Sequence, residues 1–147
     1  MKKHLVWLTL VLVAVFSSAA VSANAQSNYN VRADVPFDFT VGNKTLPAGK
    51  IIAHGQTSLA SPLSITNLAM GQVTLRVARK LPGADDSHRA ELVFRRYGDR
   101  YFLAQVWIEG YGGWEVLKSS SEKALERETR VASNARPELV TVLATMQ

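Results

Sequence analysis

The sequence predicts a mainly β domain: an antiparallel β-sandwich or partly open barrel of about six to eight strands with one peripheral C-terminal helix. Three observations lead there. Short runs of alternating apolar and polar residues recur between residues 30 and 108, clusters of Gly, Pro, Asn and Asp separate them, and a charged stretch near 120–132 opens with a helix-start signature. The chain has 147 residues, 17 Lys and Arg against 12 Asp and Glu, three His and no Cys. The missing cysteines exclude disulfides, thiolate metal sites, Cys nucleophiles and lipid attachment to an N-terminal Cys. Exported bacterial domains commonly do without disulfides, whereas small animal-type secreted domains are dense in them.

The chain opens on an address. Met1-Lys2-Lys3-His4 is a cationic start, Leu5 to Phe16 is a 12-residue uncharged apolar stretch, and Ser17 to Gln26 turns to small residues that include Ala23-Asn24-Ala25. These are the parts of a secretory signal in their usual order, so cleavage is expected after Ala25 and the product is expected in the periplasm or outside the cell. The alternative is an uncleaved anchor, because Leu5 to Val21 holds 17 residues without a charge and about 30 Å of hydrocarbon needs little more. The serines and alanines at 17–20 argue against it. Removing 25 of 147 residues leaves a single domain of 122 over 26–147, and 15 basic groups against 12 acidic ones make its net charge +3 where the whole chain has +5.

Asn30 to Val35 is the first strand. Pro36 interrupts it, since proline cannot donate to a ladder, and Phe37, Phe39 and Val41 resume the alternation. Gly42-Asn43-Lys44 and Leu46-Pro47-Ala48-Gly49 supply turns around the next short pieces, and Lys50 to Ala53 and Leu63 to Leu68 follow as strands. In Gln72 to Lys80, Val73, Leu75 and Val77 alternate with Thr74, Arg76 and Ala78, which predicts a strand. Leu81 to Arg89 reads as an exposed loop. Ala90 to Tyr97 and Arg100 to Ile108 are separated by Gly98-Asp99 alone, the signature of a tight hairpin. With Tyr97 opposite Arg100, Phe94 faces Leu103 and Leu92 faces Gln105. Both faces are then partly apolar, so the C-terminal helix, a loop, a subunit or a ligand must cover the second one.

Gly110 to Trp114 reads as a glycine and aromatic loop. Ser119-Ser120-Ser121-Glu122 fits a capping box that starts a helix running to about Ala132, with Ala124, Leu125, Val131 and Ala132 as a narrow apolar stripe. Glu138 to Thr145 is β-prone and suits a sheet edge, where it can pair with a second copy.

Catalytic and metal motifs are lacking. No G-x-S-x-G elbow is present, and Asp85-Asp86-Ser87-His88 has triad residue types side by side in a turn, without triad geometry. His54 and His88 lack metal-ligand spacing, so no metal or cofactor is expected. Asp34 with Asp38, and Glu109 with Glu115, are carboxylate pairs that nothing brings together. A basic cluster, Arg76, Arg79, Lys80, Arg89, Arg95, Arg96 and Arg100, is interleaved with Tyr97 and Tyr101, but the pleat splits it between two faces, which argues against specific nucleic-acid binding. The candidate ligand-binding residues are Trp107, Tyr111 and Trp114, flat aromatics around a glycine-flexed loop, with Tyr97 and Arg95 beside them. The bland alternative makes Trp107 core and folds Trp114 over the hairpin's second face.

Val35-Pro36-Phe37-Asp38-Phe39-Thr40-Val41-Gly42-Asn43-Lys44-Thr45-Leu46-Pro47-Ala48-Gly49-Lys50 resembles the start of a family of exported proteins of soil bacteria, chiefly acidobacterial. Leu92 to Leu103 and the helix around Ser121 to Glu128 are similar to later blocks of that family, whose members often carry His at the position of Arg95. The resemblance implies an exported β-rich domain and carries no activity or site.

The expectation is a non-catalytic binding or structural domain of the bacterial envelope. It takes an envelope component, a small apolar ligand or a protein, and touches the membrane only through its signal segment. The competing expectations are a periplasmic hydrolase using Asp85, His88 or a glutamate near the aromatic loop, and a self-associating envelope stress protein. Expressed with an intact secretion pathway, the protein is expected to have Gln26 as its first residue; N-terminal sequencing or intact mass checks this.

Overall fold

A computed structural model describes residues 28–56, 62–81, 89–133 and 136–146. The export segment at 1–25 and the Asp85-Asp86-Ser87-His88 loop lie outside the described residues. The strands are β1 (Asn28–Val35), β2 (Phe39–Val41), β3 (Lys44–Leu46), β4 (Gly49–Gln56), β5 (Pro62–Asn67), β6 (Gln72–Leu81), β7 (Glu91–Tyr97), β8 (Arg100–Ile108), β9 (Gly112–Val116) and β10 (Glu138–Met146), with helix α1 (Ser120–Ser133) between the last two. Eight strands close into an antiparallel barrel in the order β8-β7-β10-β1-β4-β5-β6-β9, and β9 returns to β8.

Closure depends on how β8 divides one edge. Gln105–Ile108 pair with β9, whereas Tyr101 and Phe102 pair in parallel with Phe39 and Thr40 of β2. The β2–β3 hairpin thus continues the wall where β9 stops. Its Phe39, Val41 and Leu46 are fully buried and close that end of the barrel. Phe94 meets Phe37 and Phe39 edge-on at 5.2 Å each, and Phe37 stacks on Tyr101 at 3.9 Å. Arg76 reaches across the seam from β6 and donates to Val41 O at 3.3 Å. Gly42, at φ +67°, can only be glycine here, because a Cβ would run into the Arg76 guanidinium.

An eight-stranded barrel has an interior about as wide as its own side chains can fill. Val31, Val35, Ile51, Leu63, Ile65, Leu92, Phe94, Leu103, Val106, Ile108 and Trp114 fill it, with Val140, Val142 and Ala144 of β10 packed against them. Trp114 crosses the lumen to lie 3.6 Å from where a Cβ on Gly55 would stand, an ordinary packing distance. Its Nε1 donor has no partner among the described residues.

Four features go beyond the sequence expectations or change them. First, β6 takes the face that alternation left open: Thr74 and Ala78 are buried, and Val73, Leu75 and Val77 are 56%, 61% and 65% exposed. Small inward side chains suit a sector where Arg76 must turn in to reach the hairpin. Second, a bulge breaks the β7–β8 register: Phe94 pairs with Leu103 but Val93 with Gln105, leaving Ala104 unopposed. A one-residue slip exchanges the faces of everything beyond it. Leu92 therefore faces Val106, and Gln105 and Trp107 lie outside. Third, the aromatic loop shrinks to a turn at residues 109–111, and Gly112 to Trp114 belong to β9. Fourth, β10 pairs with both β1 and β7, so Glu138 to Thr145 is not an edge.

On the outer surface Trp107 lies over Gly113, where a Cβ would stand 2.7 Å from the ring. Gly113→Ala is expected to lower stability by about 1–3 kcal/mol through overpacking and to shift tryptophan emission. Gly55→Ala meets only ordinary contacts and should lose less; urea titrations followed by fluorescence check both.

Candidate functional site

The second face of the β7–β8 hairpin is covered by α1. Alternation places Val93, Arg95 and Tyr97 of β7 outside the barrel with Phe102 and Ala104 of β8 on the same surface; all five are buried. Arg95 Nε donates to Glu122 Oε1 at 2.5 Å, Arg95 Nη2 donates to Val116 O at 3.3 Å, and Tyr97 OH donates to Glu122 Oε1 at 3.4 Å. Side-chain exposure is 9% for Arg95 and 3% for Glu122, so the pair is withdrawn from water. Tyr97 packs edge-on against Phe102 at 5.7 Å, and Arg100 lies over the other side of the hairpin turn 5.4 Å from the Phe102 ring.

Half of the expected capping box forms. Ser119 Oγ accepts from the Glu122 amide at 3.2 Å, but the Glu122 carboxylate turns away from the helix start toward Arg95 and Tyr97. The helix consequently presents Glu122, Leu125, Glu126 and Thr129 to the barrel, and Ala124, Val131 and Ala132 face outward. This corrects the apolar stripe read from the sequence: a charge pair seats the helix, and Leu125 is its one aliphatic contact residue on that side. Lys118 Nζ donates to both Glu126 oxygens at 2.8 Å, which holds the Glu126 carboxyl below its ordinary range against the opposing effect of burial. Burial, reinforced by the negative charge of Glu122, pushes the Tyr97 hydroxyl up to about 12. Tyr97 is therefore a neutral hydrogen-bond donor at physiological pH, not a base or nucleophile.

The five residues singled out from the sequence do not form one platform. Trp114 is inside the barrel, Trp107 and Tyr111 are outside it, and Arg95 and Tyr97 lie beneath α1. The bland alternative also exchanges its two tryptophans: Trp114 is core and Trp107 is the outer one. Tyr111 is 46% exposed and its amide donates to Ile108 O at 3.1 Å in the β8–β9 turn.

The acids are likewise dispersed. Asp38 Oδ1 accepts from the Ala48 amide at 2.8 Å, Glu115 pairs with Arg79 at 2.5 Å, and Asp34 and Glu109 are exposed. His54 Nδ1 bonds Asn30 Oδ1 across β1 and β4. Among the described residues no group of three or more His, Asp or Glu is placed to hold a metal ion. The basic cluster separates in the same way, with Arg76 on the hairpin, Arg95 on Glu122 and Arg96 on Glu138.

Sequence reasoning missed an exposed aliphatic surface. Pro62, Ser64 and Thr66 of β5 pair with Val77, Leu75 and Val73 of β6, and the outward aliphatics of β6 continue into Leu68 and Met70 of the intervening turn. Among the described residues, Gln72–Val77 pair with β5 only, because β9 pairs with Ala78–Leu81. The signal was the Val-x-Leu-x-Val pattern itself, which reads equally well inward or outward. Comparison with known proteins adds nothing further: no family model, no curated protein and no solved structure matches the chain.

Removing one partner of a buried ion pair costs about 3–5 kcal/mol, whereas replacing both by apolar groups is often neutral. Glu122→Gln is expected to destabilise on that scale and Arg95→Met with Glu122→Leu to recover most of the loss, measured by urea unfolding. Because the folded Tyr97 holds its proton more tightly, its contribution is whole below the unfolded pKa near 10.0 and fades as pH rises toward about 12. Stability should therefore decline over that window more steeply in the wild type than in Tyr97→Phe.

Proposed function

We propose that the protein is an exported, non-catalytic binding or structural domain of the bacterial envelope that works through its outer surface and associates with a second copy along β6. Several features support this reading. The interior described above is occupied by the protein's own side chains, which leaves the exterior as the working surface. The described acids are engaged in turns and ion pairs, or stand apart, and Tyr97 holds its proton to about 12, so no acid–base pair converges. The export-signal pattern at 1–25 and the resemblance over Val35–Lys50 and Leu92–Leu103 support the envelope setting.

The observation that carries the reading is the exposed aliphatic strand β6, whose Gln72–Val77 form a ladder with β5 alone among the described residues and are linked to the β2–β3 hairpin through the Arg76 side chain. An unpaired edge with outward Val, Leu and Val is the surface that proteins otherwise blunt with charge, proline or a covering element. It is also self-complementary. In antiparallel pairing about a two-fold axis at Leu75, Leu75 faces its own counterpart, and Val73 and Val77 exchange places. Main-chain hydrogen bonds would extend the sheet, and the aliphatic side chains would form a continuous apolar strip across the junction.

Light scattering and sedimentation of residues 26–147 are expected to show a concentration-dependent dimer. Leu75→Lys should leave the circular dichroism and melting temperature near wild type and remove the dimer. A wild-type protein that stays monomeric to about 1 mM, where association is worth only about 4 kcal/mol, would overturn the proposal.

A further inference from the structure

An open cleft lies between the C-terminal half of α1 and the start of β10. It consists of two adjoining cavities of about 340 and 310 Å³ that share Arg136 and Pro137. Arg96 and Glu138 line the first, and Arg130 and Glu126 line the second. Each carboxylate is already engaged. Glu138 pairs with Arg96 at 3.3 Å, and Glu126 accepts from Lys118 at 2.8 Å and from Arg130 at 3.4 Å. Arg136 is exposed and has no carboxylate partner among the described residues.

Three cations of the lining, Arg96, Arg130 and Arg136, thus face two carboxylates, an excess of one positive charge, and Lys118 further offsets Glu126 through its ion pair. Arg96 is held in place by its Nε bond to Gly98 O at 2.8 Å and by its position 5.5 Å over the Tyr101 ring. A prepositioned guanidinium loses less freedom on binding than a mobile one. The carbonyl end of α1 opposes an anion weakly, and Arg130 in the last turn offsets that effect.

We propose that this cleft is an anion site for a phosphate monoester, gripped by Arg136 and Arg96 with Arg130 at its flank. A phosphoryl group offers three oxygens to the three guanidinium groups where a carboxylate offers two, and guanidinium groups bind phosphoryl oxygens through paired, charge-assisted hydrogen bonds. The volume holds a phosphoryl group with a small organic substituent, which can belong to a soluble ester or to a lipid headgroup. The site is independent of β6, so it stands or falls separately from self-association.

The test uses residues 26–147 titrated with glycerol 3-phosphate and followed by amide NMR shifts, against sodium chloride at matched ionic strength. Sedimentation with phosphatidic acid vesicles forms a second arm. Saturable shifts at Gly98, Thr129 and Arg136 are expected. Arg136→Ala should weaken binding about tenfold, the loss of one charge-assisted contact. Glu138→Gln, which removes a competing anion, should tighten it several-fold, and Arg127→Ala on the exposed side of α1 should leave it unchanged. Binding in the soluble arm alone assigns a small ester, and additional vesicle binding abolished by Arg136→Ala assigns a headgroup. Absence of a saturable response in both arms, or equal losses in Arg136→Ala and Arg127→Ala, would overturn the site.

Discussion

Closure of the strand ring at β8 is the constraint on which the rest of the structure depends. A sheet that closes has no choice about which side of each strand faces the lumen, because neighbouring strands must keep their ladders in register around the whole circuit. β8 meets this demand by giving one half of an edge to β9 and the other half to β2. The bulge at Ala104 lets the same strand serve both: it directs Leu103 inward on one side of the irregularity and Val106 and Ile108 inward on the other. Without that extra residue, Gln105 and Trp107 would face the lumen where Val106 and Ile108 now sit.

The consequences run outward from the ring. A hairpin buried on one face inside the barrel leaves Val93, Tyr97 and Phe102 on the other, and α1 covers them with few aliphatic groups of its own. The Arg95–Glu122 pair anchors it, tied down by Tyr97 and the Val116 carbonyl. Such a pair adds little net stability over apolar substitutes but strongly penalises any register in which one charge is buried alone. That makes it a device for holding the helix in one position.

The same closure explains why the outside carries the features of interest. A lumen filled by Trp114 and branched aliphatics has little room for a guest. On the reading proposed above, recognition would use the aliphatic strand β6 and the arginine-lined cleft beside α1, which lie on different elements and would call for different chemistry, main-chain pairing with apolar cover on one and phosphoryl coordination on the other.

Local pattern was enough to read most of the strands, the Gly98-Asp99 hairpin, the helix start at Ser119 and the mainly β class, because turn residues, pleat alternation and capping act over a few positions; β3 read as turn and β9 as loop. The register beyond Ala104 was not legible, since a bulge leaves the alternation of the flanking residues intact. Nor was the side of β6 that faces in: Val73, Leu75 and Val77 satisfy the period-two pattern in either orientation, and only the ring with its inward Arg76 chooses between them. Glu122 read as a capping residue because its distant partner Arg95 is 27 positions away. By itself, the sequence determined the mainly β class, the approximate place of most elements and, having no cysteine, the absence of thiol chemistry. Tertiary structure alone decided which face of each element is buried, because in a closed barrel that choice is made by neighbours remote in the chain.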